Sequence, residues 1–282
     1  MKVNKIIIGV TQFGMNYGIM NKFNYNKKKE LEKILSFLKK KKIKFLYTSR
    51  YYGISNKLLS KKNLDFFEIF TKFKADDLLD AKFKLNLNKD KKMLKKDKLI
   101  LIIDGIEKLS NKKANKVYSN IIKLKKSGDL YKFGYSIYSF NKLKKICDNF
   151  KPDILQCPYS VIDRRLEENK LLQFLKKKNI EVHVRSIFLQ GLLLTQPPKL
   201  PKKFLKWKKI FQSFSEYMYK NKVSNLNGCI NFVQKNKNID KILVGIDKIS
   251  HLEEILNVNL NKRIKFPKIY SKDEKLINPS KW

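Results

Sequence analysis

The chain has 282 residues, 43% apolar and 12% aromatic, which is enough for a substantial core and excludes a chain that stays unfolded. The formal charge is +39, yet all but five of the 64 basic residues are lysine, whereas base-reading surfaces favour the planar fork of arginine. No run approaches the roughly 18–20 apolar residues of a membrane span, and two histidines are too few for a histidine-rich metal centre.

Short β-branched and aromatic runs alternate with longer, lysine-rich amphipathic ones, the pattern of βα units around a parallel sheet. Strands are predicted at Ile6–Val10, Ile43–Ser49, Phe66–Phe73, Leu99–Asp104, Tyr131–Tyr138, Ile154–Ser160, Ile180–Ser186 and Lys241–Ile246. Between them the periodicity predicts helices at Lys28–Lys41, Ile54–Lys62, Asp76–Leu87, Lys112–Ser127, Ser139–Phe150 and Leu166–Lys178. Two more, Pro201–Lys220 and Ser224–Lys235, share the seventh crossover, and Ile249–Leu256 follows the last strand. Eight units in this length predict an α/β fold, a (β/α)8 TIM barrel, as a single domain over residues 1–282. A doubly wound sheet competes, but it rarely needs eight regular units, and no G-x-G-x-x-G occurs.

The three cysteines, Cys147, Cys157 and Cys229, are odd in number and lack C-x-x-C spacing. That argues against a disulfide framework or a structural zinc, and for a reduced, cytoplasmic protein. Most lysines are expected on solvated helix faces, with a non-specific polyanion surface as the alternative.

In such a barrel, chemistry sits at the C-terminal ends of the strands. Those ends collect Lys72 in an apolar strand, Tyr52 just past another, Asp104 ending a third, and Ser136, Gln156 and Arg185. A charge at the end of a buried strand costs several kcal/mol unless it is paired or functional, so Lys72 is the most informative single residue.

These segments resemble the aldo/keto reductase family, and most closely a compact bacterial branch often encoded beside polysaccharide and unusual-sugar genes. Ile7–Gly18 resembles the branch's opening, Tyr52–Ser55 the "YGxSE" of the catalytic tyrosine, and Thr71-Lys72 the "TK" of the catalytic lysine. Gly134–Ser139, Pro152–Leu166, Arg185–Leu193 and Val244–Asp247 follow in family order. The resemblance implies a barrel that reduces carbonyls with NADPH, the substrate being a small molecule such as a sugar or sugar nucleotide. Tyr52 is then the proton donor, and Lys72 is the cation that stabilises its phenolate.

Two of the four expected catalytic positions depart from the pattern. The family's aspartate falls at Tyr47 and its histidine at Asp104. Either the site has decayed, leaving a binding or scaffold barrel, or the carboxylate has moved to Asp104. There it pairs with Lys72 or, protonated, donates to a substrate oxygen. Relatives with an acid at the histidine position reduce activated carbon–carbon double bonds, so that chemistry and reversible alcohol oxidation are further possibilities. By the same resemblance Ser136 and Gln156 hold the nicotinamide carboxamide, and Arg185 stacks on the ring. Gly245 and Lys248 lie at the start of the last helix, where backbone N–H groups favour a 2′-phosphate. Asp163-Arg164-Arg165 is either an anion site or a structural ion pair, His183 is a packed core residue, and His251 lies at the surface. A monomer or weak oligomer is expected.

Overall fold

The computed structural model describes residues 3–21, 27–260 and 264–282. Eight parallel strands close into a ring in sequence order. They are β1 (Ile6–Gly9), β2 (Phe45–Ser49), β3 (Glu68–Lys74), β4 (Ile100–Asp104), β5 (Lys132–Ser136), β6 (Ile154–Pro158), β7 (Glu181–Arg185) and β8 (Lys241–Gly245). The helices are α1 (Thr11–Gly14), α2 (Lys27–Lys40), α3 (Ser55–Leu59), α4 (Phe83–Leu94), α5 (Asn111–Lys126) and α6 (Leu143–Asn149). After them come α7 (Leu171–Lys177), α8 (Lys208–Lys220), α9 (Asn225–Lys235), α10 (Ile249–Leu256) and α11 (Glu274–Ile277). The ring is the predicted (β/α)8 barrel, and the doubly wound alternative is excluded.

Successive strand residues point to opposite faces, so each strand serves two cores. Inward positions Ile7, Tyr47, Phe70, Ile100, Ile102 and Ile154 fill the lumen. Outward neighbours such as Ile6, Ile8, Leu46, Ile69, Leu101, Ile103, Leu155, Val182 and Val184 join the helices in the outer core. Burial on both faces is why the strands read as unbroken apolar runs. Each helix buries one stripe: Leu31, Ile34, Leu35 and Leu38 in α2, and Ala114, Val117, Ile121 and Leu124 in α5. Each buried leucine or isoleucine contributes about 1.5–3 kcal/mol. The remaining faces of these helices carry lysines to solvent.

The boundaries differ from expectation for identifiable reasons. Ile43 and Ile180, predicted to begin strands, close the preceding helices instead. Ile43 N–H donates to the Leu38 carbonyl at 2.9 Å, and Ile180 N–H to that of Leu175 at 3.0 Å. The residue before each, Lys42 (φ 56°) or Asn179 (φ 54°), takes the left-handed conformation of a Schellman cap. The predicted helix Asp76–Leu87 is a 3-10 turn, Ala75–Leu79, followed by α4. Asp80 breaks it: its backbone is extended, and Oδ1 accepts the Lys82 N–H at 2.7 Å. Leu166–Lys178 is interrupted where Asn169 and Lys170 adopt positive φ. The helical part of Ser139–Phe150 shrinks to α6, residues 137–142 forming a loop over the barrel mouth.

At the N-terminal end of the barrel Glu181 pairs with Lys132 and, at 3.1 Å, with His183 Nε2. His183 is fully buried, as expected of a core residue, and burial holds its pKa below the ordinary value despite the Glu181 hydrogen bond.

Candidate active site

At the opposite end the inward positions turn polar. They open onto a cavity of about 510 Å³ whose walls include Tyr47, Tyr52, Lys72, Ser136, Gln156, Arg185 and Gly245. Asp104 meets this space through Lys72, its Oδ2 lying 3.3 Å from Lys72 Nζ. Lys248 is not on the cavity wall; it is the N-cap residue of α10.

Tyr52 is delivered by two glycines. A Cβ on Gly14 would lie 1.8 Å from the Tyr52 carbonyl oxygen, and one on Gly53 would lie 2.3 Å from that of Gly14. Only backbones without side chains approach so closely, and Gly53 also needs φ of 54°. Ile54 N–H donates to the Gly14 carbonyl at 3.2 Å, and Ser55 Oγ to that of Val10 at 2.8 Å. The loop is thereby pinned to the end of β1, with the Tyr52 ring turned to the mouth.

Lys72 Nζ lies 5.5 Å from the centre of the Tyr52 ring. Burial pushes the Lys72 pKa down, but Tyr52 and Asp104 more than offset this and leave it raised, with Arg185 opposing them. The side chains of Lys72 and Asp104 are only 21% and 29% exposed, so each is the counter-charge the other requires. Of the two expected arrangements of Asp104, the geometry is that of the pair.

Tyr47, on β2, lines the cavity. Its ring is 2% exposed and stacks on Phe70, with 6.2 Å between centroids. Its hydroxyl has no hydrogen-bond partner among the described residues, and burial raises its pKa well above that of a free phenol, so the group stays neutral.

Arg185 crosses the mouth from β7. Its Nη2 donates to the Ile137 carbonyl at 3.0 Å, and its guanidinium lies 3.8 Å from the centre of the Tyr138 ring. Below it, Gln156 is 1% exposed, with Nε2 unpartnered among the described residues. Gln12, 7% exposed, leaves Oε1 unpartnered among the described residues in the same cavity. Gly245 makes room for it, since a Cβ there would fall 2.4 Å from Gln12 Nε2. Ser136, 2% exposed, is paired in register with Gln156.

Sequence reasoning gave no role to Gln12, Tyr17, Tyr138 or Asp247, and it placed His251 at the surface. All five line the cavity. His251 is half exposed, but its Nδ1 lies 2.6 Å from Asp247 Oδ1, a bond that raises its pKa against the opposing effect of burial. The sequence clue was position: Gln12 and Tyr17 fall in the glycine-containing run after β1, and Asp247 and His251 beside the start of α10.

Other candidates are committed elsewhere. Arg165 grips Asp163 with two bonds of 2.9 Å, and Arg164 donates to the carbonyls of Val161 and Pro267, so Asp163-Arg164-Arg165 is a structural cluster. Cys157 packs in the outer core, where burial pushes its pKa up to about 12.

The family model of the aldo/keto reductases matches residues 5–268, and the chain belongs to that family. Its members are oxidoreductases that reduce carbonyls with nicotinamide cofactors. Among solved structures it resembles an aldo-keto reductase of Bacillus halodurans in its holo form, at TM-score 0.73 and 14% identity over 96% of this chain and 95% of that one. It also resembles the glycerol dehydrogenase of Gluconobacter oxydans, at TM-score 0.69 and 15% identity over 94% and 92%. At such identities the likeness speaks for the fold. No curated protein matches the chain. Among the described residues no helix is long and apolar enough to cross a membrane.

Proposed function

We propose that the chain is a carbonyl reductase in which Tyr52 supplies the proton and the Lys72–Asp104 pair stabilises the charge left on its oxygen. The observation that carries this reading is the cluster itself: Lys72 Nζ, 3.3 Å from Asp104 and 5.5 Å from the Tyr52 ring centre, at the mouth of the barrel. A decayed site would have left a buried ammonium without its carboxylate, whereas here one carboxylate has replaced another.

The cavity residues fit a nicotinamide. Gln156 offers a buried, unpartnered N–H and Gln12 a buried, unpartnered carbonyl, the complement of a carboxamide, with Ser136 beside Gln156. When bound, the reduced cofactor supplies the hydride that the carbonyl carbon accepts. Tyr52 gives its hydroxyl proton to the carbonyl oxygen, Lys72 holds positive charge beside the resulting phenolate, and Asp104 keeps Lys72 in place. Four tyrosines, Tyr17, Tyr47, Tyr52 and Tyr138, line the cavity and suit a hydroxylated substrate such as a sugar or sugar nucleotide. Three buried, unpaired cysteines are in keeping with a reducing cytoplasm.

NADPH is the form expected from the resemblance, with Lys248 as the cation for its 2′-phosphate. This form carries a condition. The Ile249 N–H at the start of α10 already donates to Glu30 Oε2 at 3.3 Å, so a phosphate on that amide must displace a carboxylate. NADH imposes no such exchange, and titrating both cofactors decides between them.

The test is oxidation of NADPH or NADH by a panel of aldehydes, ketones and reducing sugars, with Tyr52→Phe alongside. The variant should bind cofactor normally and lose at least about 10²-fold in turnover, the usual weight of a general acid. Full activity in Tyr52→Phe removes the tyrosine from the mechanism. Failure of the wild type to bind either cofactor returns the chain to the scaffold reading.

A further inference from the structure

We infer that Arg185 makes the cavity hold the reduced, uncharged nicotinamide in preference to the oxidised, cationic one. The inference rests on the cofactor reading above and adds to it a bias between the two forms of the cofactor.

Three observations carry it. First, Arg185 and Gln156 lie on adjacent strands. Pro158 is paired with Arg185 and Gln156 with His183, so Gln156 is one inward step below Arg185. Because Arg185 reaches past β6 to the Ile137 carbonyl beyond the end of β5, its guanidinium spans the strand that carries the unpartnered Gln156 amide. Second, the guanidinium is fixed there, with one bond to that carbonyl and its Cζ 3.8 Å from the Tyr138 ring centre. The Tyr138 backbone N–H is in turn held by Glu107 Oε1 at 3.1 Å. Third, Arg185 forms no ion pair with a carboxylate among the described residues. The carboxylate that acts on it, Asp104, is already paired with Lys72. Lys72 and Arg185 therefore share Asp104.

A pyridine ring seated by the Gln156 N–H lies in the field of this uncompensated charge. The reduced ring is neutral and is unaffected to first order, whereas the oxidised ring carries a positive charge and is repelled. The charge beside Gln156 thus favours entry of the reduced cofactor and departure of the oxidised one after hydride has left it, the carboxylates of the cavity wall, Asp247 and Glu254, lying apart from it at α10.

Dissociation constants for the reduced and oxidised forms of NAD and NADP, measured by calorimetry on the wild type, R185Q and R185K, test the inference. For whichever cofactor binds, the oxidised form of the wild type should be at least about tenfold weaker, equivalent to about 1.4 kcal/mol. R185K, which keeps the charge, should preserve the ratio, and R185Q should bring it to within about threefold, with thermal melting confirming that both variants fold. Equal affinities in the wild type, or a ratio that survives in R185Q, overturn the inference while the cofactor reading stands. If neither form of either cofactor binds, both fall together.

Discussion

Lys72 carries two opposed influences, and their balance sets a pH dependence. Burial works against its ammonium form, while Tyr52 and Asp104 work for it and prevail, so its folded pKa lies above the ordinary lysine value. A group raised on folding stabilises the fold fully below its unfolded pKa and loses that contribution as pH rises through the folded one. Asp104→Asn removes part of the support, and burial then drives the Lys72 pKa down. The variant should be about 1–3 kcal/mol less stable near pH 7, an amount discounted for the partial exposure of both side chains. Its denaturant midpoint should approach that of the wild type only above pH 10.5, as pH rises through the raised folded pKa and the wild type loses what the variant never had. A constant gap over that range would mean that Asp104 acts on something other than the charge of Lys72.

Among the elements, the helix ends show why a sequence with few glycines still turns sharply. Lys42, Lys95, Asn179 and Lys222 occupy left-handed cap positions usually given to glycine, with φ between 52° and 56°. A left-handed non-glycine residue costs roughly 1–2 kcal/mol, partly returned by a less flexible unfolded chain. Lys42→Gly and Lys222→Gly should therefore each raise stability by about 0.5–1 kcal/mol, read as a higher melting temperature, and a drop would mean that the lysine stems contribute packing. The same caps explain what the sequence concealed. Without a glycine to mark the break, Ile43 and Ile180 read as strand when they close helices. The strands themselves were legible because burial on both faces writes them as apolar runs, and Tyr52, Lys72, Gln156 and Arg185 because strand ends are where a barrel places chemistry. Gln12 was not legible as a site residue, since what aims it is the missing side chain of Gly245 across the β1–β8 seam. The sequence offered the Asp104–Lys72 pair as one of two arrangements, and the contact between them comes from the adjacent parallel strands β3 and β4.

For the molecule as a whole, a formal charge of +39 spread over helix faces means self-repulsion at low ionic strength. Screening shortens the range of that repulsion to about 8 Å at physiological salt. Melting temperature should accordingly rise between about 20 and 300 mM sodium chloride, and a fall would show that the surface ion pairs outweigh the repulsion. The ring of strands has a consequence in time as well. β1 pairs with β8 from Ile6–Ile242 to Gly9–Gly245, so the first strand made waits for the last before its second edge is covered. A nascent chain halted short of residue 241 is an open sheet with two bare rims, the form in which strands of separate polypeptides join.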